Sequence, residues 1–462
     1  MTTARNIFDP VWLACATGGS WQRMPTGAIR RICHDTRKLQ SGDLYVAIRG
    51  SRIDGHSLVE EAIAKGAVAA LVDQVYLSNS ALQSTVPLLV VADTLVALGR
   101  MAGMHRHRCG ILATGITGSM GKTTVKDMTA CLLGQIGNTV ATQGNWNNNI
   151  GLPLSMLGIT LDTQYGVFEM GMNHPGEIAP LSEILSPDWG VVTSIGPVHL
   201  EFFDRVEAIA HEKADLLRAL PQKGIAFLPV GDPYYPILRD AVPCSLQTVA
   251  VGSHGDADLV ISNQQGRLVV REHGQAHSTD LPIPAAGQHN LLNAGLAILV
   301  ARAAGASWDQ IRTGFSQYQP APMRWEMQVL DGCTIINDAY NANPVSMSAA
   351  LDTFSQTRVK GSKWLVLGDM LELGVHAEGA HVALGQAVAA GTWAGLAAVG
   401  VHAQTVKAAA IAAGFSSDVV AAFPTVQDVG DWLRARVAPG DAVLLKGSRG
   451  VQLEKLLVGF GK

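Results

Sequence analysis

The stretch Thr114-Gly115-Ile116-Thr117-Gly118-Ser119-Met120-Gly121-Lys122-Thr123-Thr124 narrows the choice of fold more than any other. The aliphatic run Ile111-Leu112-Ala113-Thr114 leads in, and a proline-free, helix-like run from Thr123 to Gly134 leads out. Strand, glycine turn, Gly-Lys-Thr-Thr and helix make a phosphate cradle. Glycine lets backbone N–H groups approach anionic oxygens, and the helix start adds the positive end of its dipole. There Lys122 supplies a point charge for the β- and γ-phosphates, and the Thr123 hydroxyl can hold Mg²⁺. The spacing is a variant: the full G-x-x-x-x-G-K-[ST] pattern wants glycine at position 116, which is Ile116, so the chain reads G-x-x-G-K-T from Gly118. A plain helix-starting turn is the alternative.

A chain of 462 residues has room for about three domains. We expect borders at 1–107, 108–319 and 320–462. The formal charge of -4 gives no field for nucleic acid or a membrane surface. The six cysteines, with no C-x-x-C among them, read as reduced, mostly core thiols of a cytoplasmic protein. The segment Met1–Pro10 has no apolar h-region, so no signal peptide is expected. Between Glu378 and Lys407 no charged residue occurs, but His381, Gln386, Gly391, Gly395 and His402 interrupt the run. That pattern reads as helix, turn and buried strand, not a membrane span. A monomer is expected.

The first unit alternates strand and helix signals: strands at 43–48, 68–72 and 87–91, helices at 58–65 and 94–107, the last capped by Asp93. His105-Arg106-His107-Arg108 reads as a solvated helix end favoured by the dipole. The loops His34-Asp35-Thr36-Arg37, Ser41-Gly42-Asp43 and Asp54-Gly55-His56 suit a ligand, or ordinary turn chemistry. In the second unit, Gln143–Pro153 holds Asn145, Asn147, Asn148 and Asn149. These amides are useful around a phosphate and its metal, or as an Asx-turn cluster.

A buried strand over 165–172 carries Glu169, costly unless paired or metal-bound, and hence a Mg²⁺ ligand candidate. A strand over 188–195 leads to His199 in the same way, a second metal-site candidate. Lys213, inside a helix over 206–220, reads by spacing as a surface lysine. The region 246–283 reads as short antiparallel strands, and 284–304 as a helix with Asn290 and Asn293 one turn apart on one face. Gln317–Met323 is the clearest linker, and Arg324 follows it. In the third unit, strands at 334–337, 363–367 and 441–445 each run into a polar cluster. These are Asp338 to Pro344, Gly368 to Gly374, and Lys446 to Gly450, placed where open parallel sheets bind ligands. No G-x-G-x-x-G occurs, so a dinucleotide site is not expected.

Taken together, these motifs resemble the Mur ligase family over nearly the whole chain. The matching stretches are Thr117 to Thr124, Gly144 to Pro153, Glu169 to Glu177, Asp338 to Met347, Gly368 to Gly374 and Leu445 to Gly450. The resemblance implies an α/β protein of three domains: a small one for the UDP end of the substrate, a central P-loop ATPase with a mainly parallel sheet, and a Rossmann-like C-terminal one. It implies ATP and Mg²⁺ as cofactors, and an acyl phosphate captured by an amine.

By match, Thr117, Gly118, Ser119, Met120, Gly121, Lys122, Thr123 and Thr124 hold ATP, with Asn290, Arg324 and Asp338 completing its site. Thr123, Glu169, His199 and a carbamylated Lys213 hold metal, and Lys122, His199 and Lys213 serve catalysis. Thr36, Arg37, Asp54, Gly55 and His56 match the UDP-side loops. Asn145, Asn343, Lys446 and Ser448 match other substrate contacts, the last two on the loop near the amine. The family member that adds meso-diaminopimelate carries Asp-Asn-Pro-Arg. Here Asn341-Ala342-Asn343-Pro344 is followed by Val345. That favours UDP-MurNAc-tripeptide and D-Ala-D-Ala as substrates over a single amino acid, the acceptor in other Mur ligases and in folylpolyglutamate-synthase relatives.

Overall fold

The computed structural model describes residues 8–79, 86–252, 256–275 and 278–459. Residues 1–7, most of the segment in which no signal peptide is expected, lie outside them. Three sheets follow one another along the chain. The first runs Ser20–Trp21, Leu88–Val91, Ala69–Asp73, Asp43–Val46, Arg31–Cys33, parallel except at its first pairing. The second has nine strands, and the cradle strand Leu112–Thr117 lies between Trp189–Val192 and Tyr165–Glu169, parallel to both. The third has six, parallel from Cys333–Asn337 onward, with Glu326–Leu330 antiparallel at its edge. Strands buried on both faces carry unbroken aliphatic runs, as in Ala442–Lys446 and Lys363–Gly368.

The region 246–283 corrects the expectation of antiparallel pairing throughout. Ser245–Val251 and Leu259–Gln264 continue the parallel sheet; only Arg267–Glu272 and Thr279–Pro282 run antiparallel. Short apolar runs look alike in either direction, since pairing sense is set by the connections. The charge-free stretch is the expected helix Ala377–Ala389 followed by the buried strand Gly395–Val399, and no described helix is long and apolar enough to cross a membrane. All six cysteines are free: Cys33 and Cys333 are buried, Cys109, Cys131 and Cys244 pack half-buried against the apolar cores, and Cys15 alone is exposed, so most are core thiols as expected.

The helix Thr94–Cys109, capped by Asp93 as expected, runs through the border placed at 107/108. Its end is solvated only in part: His107 and Arg108 are exposed, while His105 and Arg106 turn inward. His105 is fully buried with Nε2 2.8 Å from Ile159 O, and Arg106 donates to Asp188 at 2.5 Å. Gly99 and Gly103 let this helix press on Ile184; a Cβ on Gly103 would stand 3.0 Å from Ile184 O. One apolar core therefore spans the first two sheets, from Leu13, Leu44 and Val91 to Phe168, Ile178 and Leu216. The third sheet has its own cores, around Leu367 and around Val443.

Candidate active site

The cradle is laced to the neighbouring strand end. Ser119 N donates to Ser194 O at 2.7 Å, Gly196 N to Ser119 Oγ at 2.9 Å, and the Thr193 hydroxyl to Met120 O. Two glycines are required. Gly118 has φ 148, and a Cβ there would overlap the Thr193 hydroxyl and stand 3.0 Å from Thr193 N. Gly121 has φ 80, and a Cβ would overlap the Asn293 amide. Asn293 donates to Asn290 Oδ1 at 2.9 Å, and Asn290 to Ala286 O at 2.6 Å. The amide pair at the start of the helix Gln288–Ala303 thus braces the cradle.

Lys122 folds back to donate to Gly118 O at 2.7 Å. Burial pushes its pKa down; Glu169 opposes that shift and Arg324 adds to it. Thr123 is the hinge pin of the site. Its hydroxyl donates to Glu169 Oε2 at 2.8 Å and accepts from Arg324 Nη2 at 2.9 Å. Glu169, 2% exposed at the end of Tyr165–Glu169, also accepts from Asn147 Nδ2 at 2.7 Å. The Arg324 guanidinium lies 4.2 Å from the Tyr340 ring centroid. Thr117 Oγ1 is buried with no partner, and Thr124 is half-buried.

A hydroxyl and a carboxylate on adjacent elements are the hard oxygen donors Mg²⁺ takes when phosphates and water complete its shell. Among the described residues no cluster of three His, Cys, Asp or Glu side chains would cage a metal, so Thr123 and Glu169 fit a cation shared with phosphate. Near the start of Gln288–Ala303 a cleft of ≈ 800 Å³ opens, lined by Gly287, Gln288, Pro320, Trp325 and Thr353 among others.

Lys213, which spacing alone places on the surface, is 1% exposed inside Val206–Arg218. Burial drives its pKa well down, Lys122 adds to the effect, and Glu212 opposes it. Glu212 itself accepts from Gly176 N and Ile178 N, both at 2.8 Å, and so steadies the start of Ile178–Leu185. His199 sits on a left-handed backbone, φ 54, with Nδ1 2.7 Å from Glu372 Oε2 but off the axis of the ring N–H. Glu372 comes from the third unit, and His199 holds its carboxyl below the ordinary value.

The other expected contacts are more structural than expected. Lys446, 3% exposed, donates to Asp338 Oδ2 at 2.7 Å and Asn341 O at 3.1 Å; Asp338 Oδ1 accepts from Trp325 N. Ser448 Oγ accepts from Leu371 N at 2.9 Å. Asn343 caps the helix Pro344–Gln356 through a capping box with Ser346. Asp54 accepts from His56 N and Nδ1, while His56 Nε2 accepts from Asp73 N, leaving that buried ring no free nitrogen for a ligand. A Cβ on Gly55 would stand 2.7 Å from Ile48 backbone, which accounts for the glycine.

Thr36 is buried, with its carbonyl accepting from Lys65. Arg37 pairs with Asp35 at the surface and holds that carboxyl at about 2. Asn145 is exposed, on the loop whose Trp146 packs against His34 and Lys38 of the first unit. Sequence reasoning left Tyr340, Glu212 and Glu372 without roles. Tyr340 and Glu372 lie in polar runs singled out above and Glu212 stands next to Lys213, but which neighbour each meets is set by tertiary packing.

Fold and site together define a three-unit α/β nucleotide-binding protein whose cradle is completed by an arginine from the next unit. Residues 28–105 match the family model described as Mur ligase family, catalytic domain; residues 116–301 the Mur ligase middle domain; residues 323–449 the Mur ligase, glutamate ligase domain. The UDP-N-acetylmuramoyl-tripeptide--D-alanyl-D-alanine ligase of Bacillus subtilis is 35% identical over 432 residues, 93% of this chain and 92% of that one. The crystal structure of MurF from Acinetobacter baumannii superposes with a TM-score of 0.85 at 30% identity, covering 96% and 97% of the two chains. The MurF ligase of Thermotoga maritima in complex with ADP gives 0.78 at 27%, covering 94% and 97%. The chain belongs to the Mur ligase family.

Proposed function

We propose that this protein joins D-alanyl-D-alanine to UDP-N-acetylmuramoyl-tripeptide at the expense of ATP, giving the pentapeptide precursor of peptidoglycan, as a cytoplasmic monomer. The relatives of this length that it resembles carry that activity in their names. The observation that carries the reading is the shared Thr123 hydroxyl, held between Glu169 of the middle sheet and Arg324 of the third unit.

A carboxylate attacking a triphosphate brings two anions together, so cationic charge must stand between them. Mg²⁺ held by Thr123 and Glu169 would neutralise charge developing on the phosphates. Lys122 and Arg324 supply fixed cations from two sides of the cradle. The tripeptide carboxylate takes the γ-phosphoryl group, ADP leaves, the dipeptide amine attacks the acyl carbon, and phosphate departs with the amide formed. Losing one preorganised charge contact of this kind costs about 3–4 kcal/mol of barrier. The adenosine end fits the cleft near Trp325 and Gly287. Burial drives the Lys213 amine toward its uncharged form, the form that reacts with CO₂, and the carbamate would place an anion able to bind metal there.

The test is ADP release with UDP-MurNAc-tripeptide, Mg²⁺, ATP and a panel of amines, with the product weighed by mass spectrometry. Release with D-Ala-D-Ala and the mass of the pentapeptide support the reading. Release only with a single amino acid, or a stable phosphorylated product without an amide, overturns it.

A further inference from the structure

The loop Gly368-Asp369-Met370-Leu371-Glu372-Leu373-Gly374 is anchored inward at three points. Asp369 accepts from Val401 N and His402 N, Met370 N donates to His381 Nε2 at 3.0 Å, and Leu371 N donates to Ser448 Oγ. Glu372 instead turns across the seam to the middle unit. Its side chain is 53% exposed, that of His199 only 18%. Both residues hold left-handed backbones, φ 63 and φ 54, a conformation that persists for such residues only where the surroundings hold it. Gly374, at φ 52, comes so near that a Cβ would stand 3.2 Å from Glu201 Cα. The seam is therefore a fitted contact between two anchored loops, not a chance meeting of long side chains.

We propose that Glu372 is a positioning residue for His199. Its carboxylate stands 2.7 Å from Nδ1, and a small turn of the ring would bring that N–H onto it, leaving Nε2 free to work, the way a carboxylate partner commonly sets a working histidine. Because Glu372 belongs to the third unit, the ring is set only when that unit has closed on the middle one. The inference rests on the ligase reading above: the movement that brings the third unit to the acyl group also sets His199.

The test uses the full-length protein as Glu372→Gln, His199→Gln and the double variant. Two readouts are taken: ADP release under full substrates, and the closed fraction from energy transfer between dyes on the first and third units with a non-hydrolysable ATP analogue and UDP-MurNAc-tripeptide. Glu372→Gln should lower kcat about tenfold, leave KM for ATP within about twofold, and reduce the closed fraction. In the His199→Gln background it should change kcat by less than about twofold, because contacting residues acting through one another do not add. Wild-type kcat and closure in Glu372→Gln, or losses that multiply in the double variant, would overturn the proposal. If the unaltered protein makes no amide at all, the ligase reading fails instead, while the energy-transfer comparison still decides whether Glu372 and His199 act together.

Discussion

Replacing Gly118 by alanine tests the cradle at its tightest point. The added methyl would fall on the Thr193 hydroxyl and stand 3.0 Å from Thr193 N, which is itself held by Thr117 O at 3.0 Å in the strand ladder. Thr193 cannot retreat without breaking that ladder, so the loop must move by on the order of 1 Å or the Thr193–Met120 bond must be lost. The lost buried bond costs about 1 kcal/mol and the unfavourable backbone about 1–3 more. A total near ~3 kcal/mol lowers Tm by about 6–12 °C, and a shift of that size in a phosphate loop costs roughly 100-fold in turnover. Gly110→Ala is the control: its φ is also positive, at 65, but nothing lies within 4 Å, so the cost is about 1 kcal/mol of backbone strain with turnover intact. Scanning calorimetry and ADP release read both. If Gly118→Ala melts within about 2 °C of Gly110→Ala and turns over normally, the steric argument is wrong.

Lys122→Ala should keep the fold, seen as an unchanged circular dichroism spectrum, and release no ADP above background; normal turnover would remove Lys122 from the chemistry. Lys213→Ala should lose most activity and Lys213→Arg should not restore it, since arginine forms no carbamate; added bicarbonate should raise wild-type activity only. Asp188→Asn should cost about 1–3 kcal/mol in urea unfolding, because buried Arg106 then keeps its charge without its carboxylate, while solvent at the half-exposed Asp188 side screens part of the loss. His105 and His381 are both fully buried with pKa values pushed below the ordinary 6.5, chiefly by burial. The unfolded chain therefore binds more protons than the folded one below about pH 6.5, so stability should fall as pH drops through that value. Urea midpoints at about pH 7.5 and about pH 5.5 measure it, and a rising midpoint would contradict the assignment.

The cradle, the buried strands and the polar clusters beyond them were readable because each is local. Glycine spacing, aliphatic runs and a carboxylate at a strand end all announce themselves within a few residues. What hid was set by distant partners. Arg106 looks like a solvated charge until Asp188, far along the chain, is packed beside it. Lys213 sits at ordinary surface spacing, and only the tertiary packing around its helix, with Lys122 near enough to act on it, makes it a buried amine. Asn343, His56 and Ser448 were polar residues in promising loops, yet the fold uses them for capping and bracing. Glu372 could not be paired with His199 before the third sheet was set against the second.

The apolar core shared by the first two sheets has a consequence for what the protein can measure. On the proposed reading, the nucleotide-sugar grip and the phosphate loop behave as two jaws of a caliper welded at a set opening, while only the third unit swings. A stem one residue short would leave its carboxylate stranded below the loop, and one too long would overshoot it, so reach alone sorts precursors before any side chain is read.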